Sequence, residues 1–135
     1  MPRGLARTTV AALATAIAVS AGTARAAPGP TVRGPATVVP GRVVVFHAQG
    51  FHAGSALNLV VSPAGKASCC AVRIPGSFLA SESGGAALRF RMPPRYLDCT
   101  NPWHCTKVAW KRGRRAVLTV FGYLEQATAT TLIAG

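Results

Sequence analysis

The chain has 135 residues, and its 15 lysines and arginines stand against 3 aspartates and glutamates, a formal net charge of +12 at pH 7. That length is too short for two ordinary domains, and three carboxylates leave little material for paired-carboxylate catalysis. The sign of the charge favours anionic surfaces, wall polymers, nucleic acid or acidic proteins, without naming one.

The first 26 residues read as a secretory signal. Arg3 and Arg7 precede an Ala-rich apolar run over residues 8–21, and Ala24-Arg25-Ala26 supplies a small-x-small exit. The run is about 14 residues long, against the roughly 20 that a membrane-spanning helix needs, and no basic stop-transfer flank follows it. Cleavage after Ala26 leaves residues 27–135 as one domain. Removing Arg3, Arg7 and Arg25 leaves 12 basic residues and a net charge of +9. The expected product is secreted, with no membrane span.

The rest of the chain reads as short strands. Val43-Val44-Val45-Phe46 is rich in the β-branched and aromatic residues that suit an extended backbone. Gly50 to Ser55 reads as a turn, after which Leu57, Leu59 and Val61 alternate with period two. Ser62-Pro63-Ala64-Gly65 marks another turn, and a short extended segment spans residues 67–74 before Pro75-Gly76. The clearest alternation is Leu88-Arg89-Phe90-Arg91-Met92, with three apolar groups on one side and two guanidiniums on the other. Strands are expected again at 107–110, 116–121 and 127–133, with Lys111-Arg112-Gly113-Arg114-Arg115 as a solvated hairpin turn between the first two. About seven strands and no convincing helix predict an all-β domain, an immunoglobulin-like antiparallel Greek-key β-sandwich, with an open barrel as the other arrangement.

Cys69, Cys70, Cys99 and Cys105 all lie beyond the signal, where export permits oxidation. Four cysteines allow three pairings. The short Cys99–Cys105 loop is the simplest of them, and the sequence leaves the choice open.

Chemistry is sparse. Glu82, Asp98 and Glu125 have no paired spacing, and His47, His52 and His104 form neither HxH nor HExxH. Walker, dinucleotide-binding and calcium-loop motifs are absent, so no enzyme, metal or cofactor is expected. Lys111, Arg112, Arg114 and Arg115 form the candidate polyanion-binding group, with Trp103 or Trp110 as a stacking partner. Gly113 interrupts the run and argues against a helical groove reader, which makes nucleic acid the weaker partner.

Several segments together resemble the neocarzinostatin-like carriers, the macromomycin and auromomycin type of secreted β-sandwich that binds enediyne chromophores. The segments are Gly41–Val44, Gly50–Ala56, Gly85–Arg91, Asp98-Cys99-Thr100 with Cys105 and Val108, and Ala116–Phe121. They lie within residues 31–121. The resemblance implies an apolar ligand cleft with Thr106, Val108 and Trp110 beside it, and matches Phe78 to a family aromatic. The chain differs in having adjacent Cys69-Cys70, a short Met92–Leu97 segment and a basic rather than acidic balance.

The sequence therefore predicts a secreted, noncovalent binding protein, a carrier of a small hydrophobic, aromatic or antibiotic-like ligand. The alternative is an extracellular envelope module that binds acidic polymers through the basic turn. A small toxin or protease inhibitor is a third class, without a visible reactive loop.

Overall fold

The computed structural model describes residues 29–66, 70–101 and 103–135; the proposed signal over residues 1–26, Cys69 and the start of the 67–74 segment lie outside them. All regular structure in the described residues is β. In chain order the strands are β1 (Thr31–Arg33), β2 (Thr37–Val38), β3 (Val43–Gln49), β4 (Ala56–Pro63), β5 (Val72–Arg73), β6 (Phe78–Leu79), β7 (Ala86–Arg91), β8 (Arg95–Asn101), β9 (His104–Ala109), β10 (Arg115–Phe121) and β11 (Gln126–Ile133). No helix among the described residues is long and apolar enough to cross a membrane. Seven of these strands have six or more residues, and the other four have two or three.

The strands form a three-stranded sheet in the order β1-β3-β7, a six-stranded sheet along β2-β11-β10-β4-β5 with β6 also on β4, and a two-stranded ribbon, β8-β9. Alternation explains why the two larger sheets share one core. Phe46, Leu88 and Phe90 project inward from the first sheet, and Leu57, Leu59, Val61, Leu118 and Val120 from the second. Phe46 and Phe90 stack with their ring centroids 5.8 Å apart. Removing each such side chain from water stabilises the fold by roughly 1.5–3 kcal/mol before the entropy of ordering is counted.

One pairing departs from the expected antiparallel scheme. The segment after β1 leaves the first sheet, and β2 pairs parallel with β11 in the second, matching Thr37 with Leu132 and Val38 with Ile133. The crossing requires a close approach at Gly34, where a Cβ would lie 2.1 Å from the Phe46 ring. Thr131 Oγ1 donates to the Pro35 carbonyl at 3.0 Å and fixes the same crossing from the other side.

Two local expectations change. β4 continues through Ser62 and Pro63, so the turn begins only at Ala64; Pro63 ends the strand, where a missing N–H costs least. The basic segment 111–115 is a turn but joins no hairpin, because β9 pairs with β8 while β10 pairs with β4 and β11. The Lys111 carbonyl accepts from Arg114 N–H at 3.2 Å, and Gly113, at φ 84°, donates to the Ile133 carbonyl at 2.8 Å. Those bonds tie the turn to β11 instead of β9, so it carries the chain from the ribbon into the second sheet.

Leu88 is fully buried between the sheets, whereas Val43 is 46% exposed on the far side of the first one. Leu88→Ala is expected to cost about 2–5 kcal/mol in urea denaturation, and Val43→Ala less than about 0.5 kcal/mol. Equal costs would show that the alternation does not set the core.

Candidate functional site

The ribbon has two faces of different chemistry, set by the period of two. Arg95 is opposite Ala109, Leu97 opposite Lys107 and Cys99 opposite Cys105, which places these six side chains on one face. Tyr96 opposite Val108 and Asp98 opposite Thr106 occupy the other. A two-stranded ribbon is marginal by itself in water. Here it is closed near its tip by the Cys99–Cys105 disulfide, with Cα atoms 4.1 Å apart, and anchored at its base by packing. Cys70 is also disulfide-bonded and fully buried.

The basal anchor is aromatic. Tyr96 and Trp110 are buried with ring centroids 4.7 Å apart, and the Arg114 guanidinium carbon lies 5.0 Å from the Tyr96 ring centroid. A cation over an aromatic face contributes about 0.5–2 kcal/mol, depending on how far it is desolvated. Arg114 is therefore drawn onto Tyr96, while Lys111, Arg112 and Arg115 stay exposed.

A cleft of about 460 Å³ lies between β5 and the ribbon face that carries Arg95, Leu97 and Lys107. Its apolar walls come from Ala71, Val72, Pro93, Pro94 and Leu97, with Tyr96 also bordering it. The prolines have no backbone N–H, so that wall offers carbonyls and methylenes but no main-chain donors. Arg73, Arg95 and Lys107 complete the lining, and all three are exposed. No carboxylate lines the cleft. The Arg73 guanidinium is held by a hydrogen bond from Nη2 to Asn58 Oδ1 at 3.3 Å. Asp98, on the opposite ribbon face, stands 3.7 Å from Lys66 Nζ in a half-exposed pair of the kind that adds little stability. The result is an apolar slot with a cationic rim, within the volume range of small-molecule sites.

A larger cleft of about 580 Å³ lies where β3, β6 and β7 meet. It holds Phe78 together with His47 and the serines Ser77, Ser81 and Ser83. Its lining contains no lysine or arginine, and Ser81 and Ser83 spend their hydroxyls on each other at 2.9 Å. The ribbon cleft has the stronger recognition chemistry of the two, because it joins apolar area to unneutralised charge.

The sequence-derived ligand residues do not converge on one cavity. Phe78 is on β6 in the serine-walled cleft. Thr106, Val108 and Trp110 follow the inward face of β9 and its extension: Thr106 is exposed, Val108 half-buried against the core and Trp110 buried. The strand singled out from sequence borders the ribbon cleft, but its cleft-lining residue is Lys107, one position away and on the other face. Arg73, Arg95 and Leu97 had no place in the sequence-derived set. The signal for Arg95 and Leu97 was the Arg95-Tyr96-Leu97 alternation just after Pro93-Pro94, in a segment assigned to no strand that is the start of β8.

The histidines are dispersed. His47 is on β3, while the His52 backbone N–H donates to the Glu125 carboxylate. The His104 ring nitrogen Nδ1 lies 3.0 Å from Asn101 Oδ1 at the ribbon tip. Among the described residues no three His, Cys, Asp or Glu side chains cluster as a metal site.

No family model and no curated protein matches the chain. Among solved structures it is similar to the sulfur carrier protein SoxY from Chlorobium limicola f thiosulfatophilum, at 15% identity and a TM-score of 0.33, over 90% of this chain and 93% of that one. The site is accordingly read from its own geometry.

The disulfide closes a short loop, with a sequence separation of 6. Replacing both Cys99 and Cys105 by Ser is expected to lower the unfolding free energy by about 2 kcal/mol, the loop-closure value for such a length. A loss below about 0.5 kcal/mol in denaturant titration would show that the basal packing alone holds the ribbon.

Proposed function

We propose that this is a secreted, noncovalent and non-enzymatic binding protein that carries a small ligand in the cleft between β5 and the ribbon. The ligand has a flat apolar or aromatic body and an anionic group. The observation that carries this reading is the convergence of Arg73, Arg95 and Lys107 on an apolar floor without a neutralising carboxylate. The apolar walls exclude water from the ligand body, and the rim then meets its charge with hydrogen bonds strengthened by ionisation.

The finer reading of the fold, an immunoglobulin-like Greek-key sandwich of the neocarzinostatin-like carrier type, is supported by strand order. In the immunoglobulin pattern strands A, B and E share one sheet and C, F and G the other. The paths β1-β3-β7 and β11-β10-β4 correspond to A-B-E and G-F-C, with β2 continuing the first strand onto the last and the ribbon inserted between E and F. The Cys99–Cys105 bridge agrees with the paired-cysteine region of those carriers. The cleft itself lies on the cationic face of the ribbon, which makes an anionic ligand the better fit here.

A second reading keeps the envelope module. Lys111, Arg112 and Arg115 are exposed on the turn, and none has a carboxylate partner among the described residues. Arg114 contributes less to that surface because it lies over Tyr96. Polymer binding through the turn would be lost as salt rises to about 0.5 M, whereas a ligand held largely by apolar walls would stay bound.

The test uses 1-anilinonaphthalene-8-sulfonate, which joins an aromatic body to one negative charge. Fluorescence titration is expected to saturate at one site, with Arg95→Ala and Lys107→Ala each weakening binding about tenfold, as the loss of a charge-assisted hydrogen bond implies. Leu97→Asp is expected to abolish binding, while Arg112→Ala changes it less than about twofold. Unchanged affinity in the Arg95 and Lys107 variants would overturn the assignment of the cleft.

A further inference from the structure

The outer face of the three-stranded sheet is a second cationic surface, remote in chemistry from the cleft. Along β7, Arg89 and Arg91 point outward while Leu88 and Phe90 enter the core. Register places Val45 opposite Arg89 and Val43 opposite Arg91; on the far strand Arg33 is opposite His47. The two arginines on β7 are thus about 7 Å apart along the strand, and Arg33, two strands across and level with Ala87, stands diagonally about 12 Å from Arg89. Between them Val43 and Val45 form a low apolar strip against which the arginine methylenes can lie.

The charges on this face are uncompensated. Glu82 is in the turn after β6, Asp98 faces Lys66 and Glu125 accepts from His52, so none of the described carboxylates serves Arg33, Arg89 or Arg91. Arg91 is held in place by a bond from Nη1 to the Gly41 carbonyl at 2.6 Å. That contact uses one of its five donors and leaves the remainder of the fork for an anion.

We infer that this face binds a linear phosphodiester polymer that carries no bases. Arg89 and Arg91, one β-repeat apart, and Arg33 diagonally across the sheet can meet successive phosphates of a flexible chain, each of which a guanidinium can grip with two parallel bonds. A nucleic acid would gain little more, because the exposed aromatics Trp103, Phe121 and Tyr123 all lie on other elements and the ring this face presents is the small His47 imidazole. A protein partner is a poorer match too, since the face lacks the aromatic anchors that dominate such interfaces. This surface is independent of the ribbon cleft, and it places polymer binding on the sheet instead of the turn.

The test compares two double variants of the full chain that remove equal charge, Arg33→Gln with Arg89→Gln, and Arg112→Gln with Arg115→Gln. Poly(glycerol phosphate) is titrated at several salt concentrations. The sheet variant is expected to lose affinity about tenfold at low salt, and its slope of log affinity against log salt falls by about 1.4–1.8, the equivalent of two phosphate contacts. The turn variant changes affinity less than about threefold through long-range charge alone. Equal losses in the two variants, or a larger loss in the turn variant, would overturn the assignment. So would tighter binding of (dT)20 than of poly(glycerol phosphate) at equal phosphate number. Binding of the anilinonaphthalene probe stays unchanged in the sheet variant, which separates this inference from the cleft reading.

Discussion

Side-chain alternation on strands is the constraint from which the rest of this molecule follows. Because successive residues point to opposite faces, burying Phe46, Leu59, Leu88 and Leu118 in one core commits their neighbours to the outside. The outward positions carry much of the positive charge, and a chain with three carboxylates cannot neutralise it locally. The core and the cationic surfaces are thus two consequences of one register. A slip by a single residue would exchange them.

The ribbon shows the same constraint on a smaller scale. Its inward residues, Tyr96 and Val108, join the core region and fix its base, and Trp110 with Arg114 completes that anchor. The opposite residues, Arg95, Leu97 and Lys107, are thereby turned toward β5 and line the cleft. Core packing and cleft lining use alternate residues of the same two strands. The basic turn belongs to this arrangement as well, since its backbone bonds to Ile133 and its Arg114 side chain are committed to holding the ribbon against the second sheet.

Much of the all-β architecture was legible in the sequence. The 88–92 alternation, the apolar triplet of Leu57, Leu59 and Val61, and the strands over 116–121 and 127–133 each carry a local pattern that burial then follows. The Cys99–Cys105 pair was the simplest of the open choices, and the ribbon register makes it. What the sequence concealed depends on tertiary partners. A glycine within a basic run looks alike whether it joins paired strands or carries the chain between sheets, and only the bonds to Ile133 distinguish the two. The parallel pairing of β2 likewise rests on a two-residue strand too short to show any period. For the candidate site, the family resemblance pointed to Thr106, Val108 and Trp110 on the inward parity of β9, where Val108 and Trp110 pack against the core, whereas the ribbon cleft is lined from β9 by Lys107 on the other parity. Arg73 had no signal, since its role arises from β5 lying across from the ribbon.

The cleft is the central functional claim, and an amide NMR titration with 1-anilinonaphthalene-8-sulfonate tests it most directly. The account predicts saturable shifts concentrated at residues 71–73, 95–97 and 107, with little change at the serine-walled cleft or around exposed Tyr123 and Leu124. Shifts centred on residues 47–49 and 77–87, or on 121–125, would contradict it.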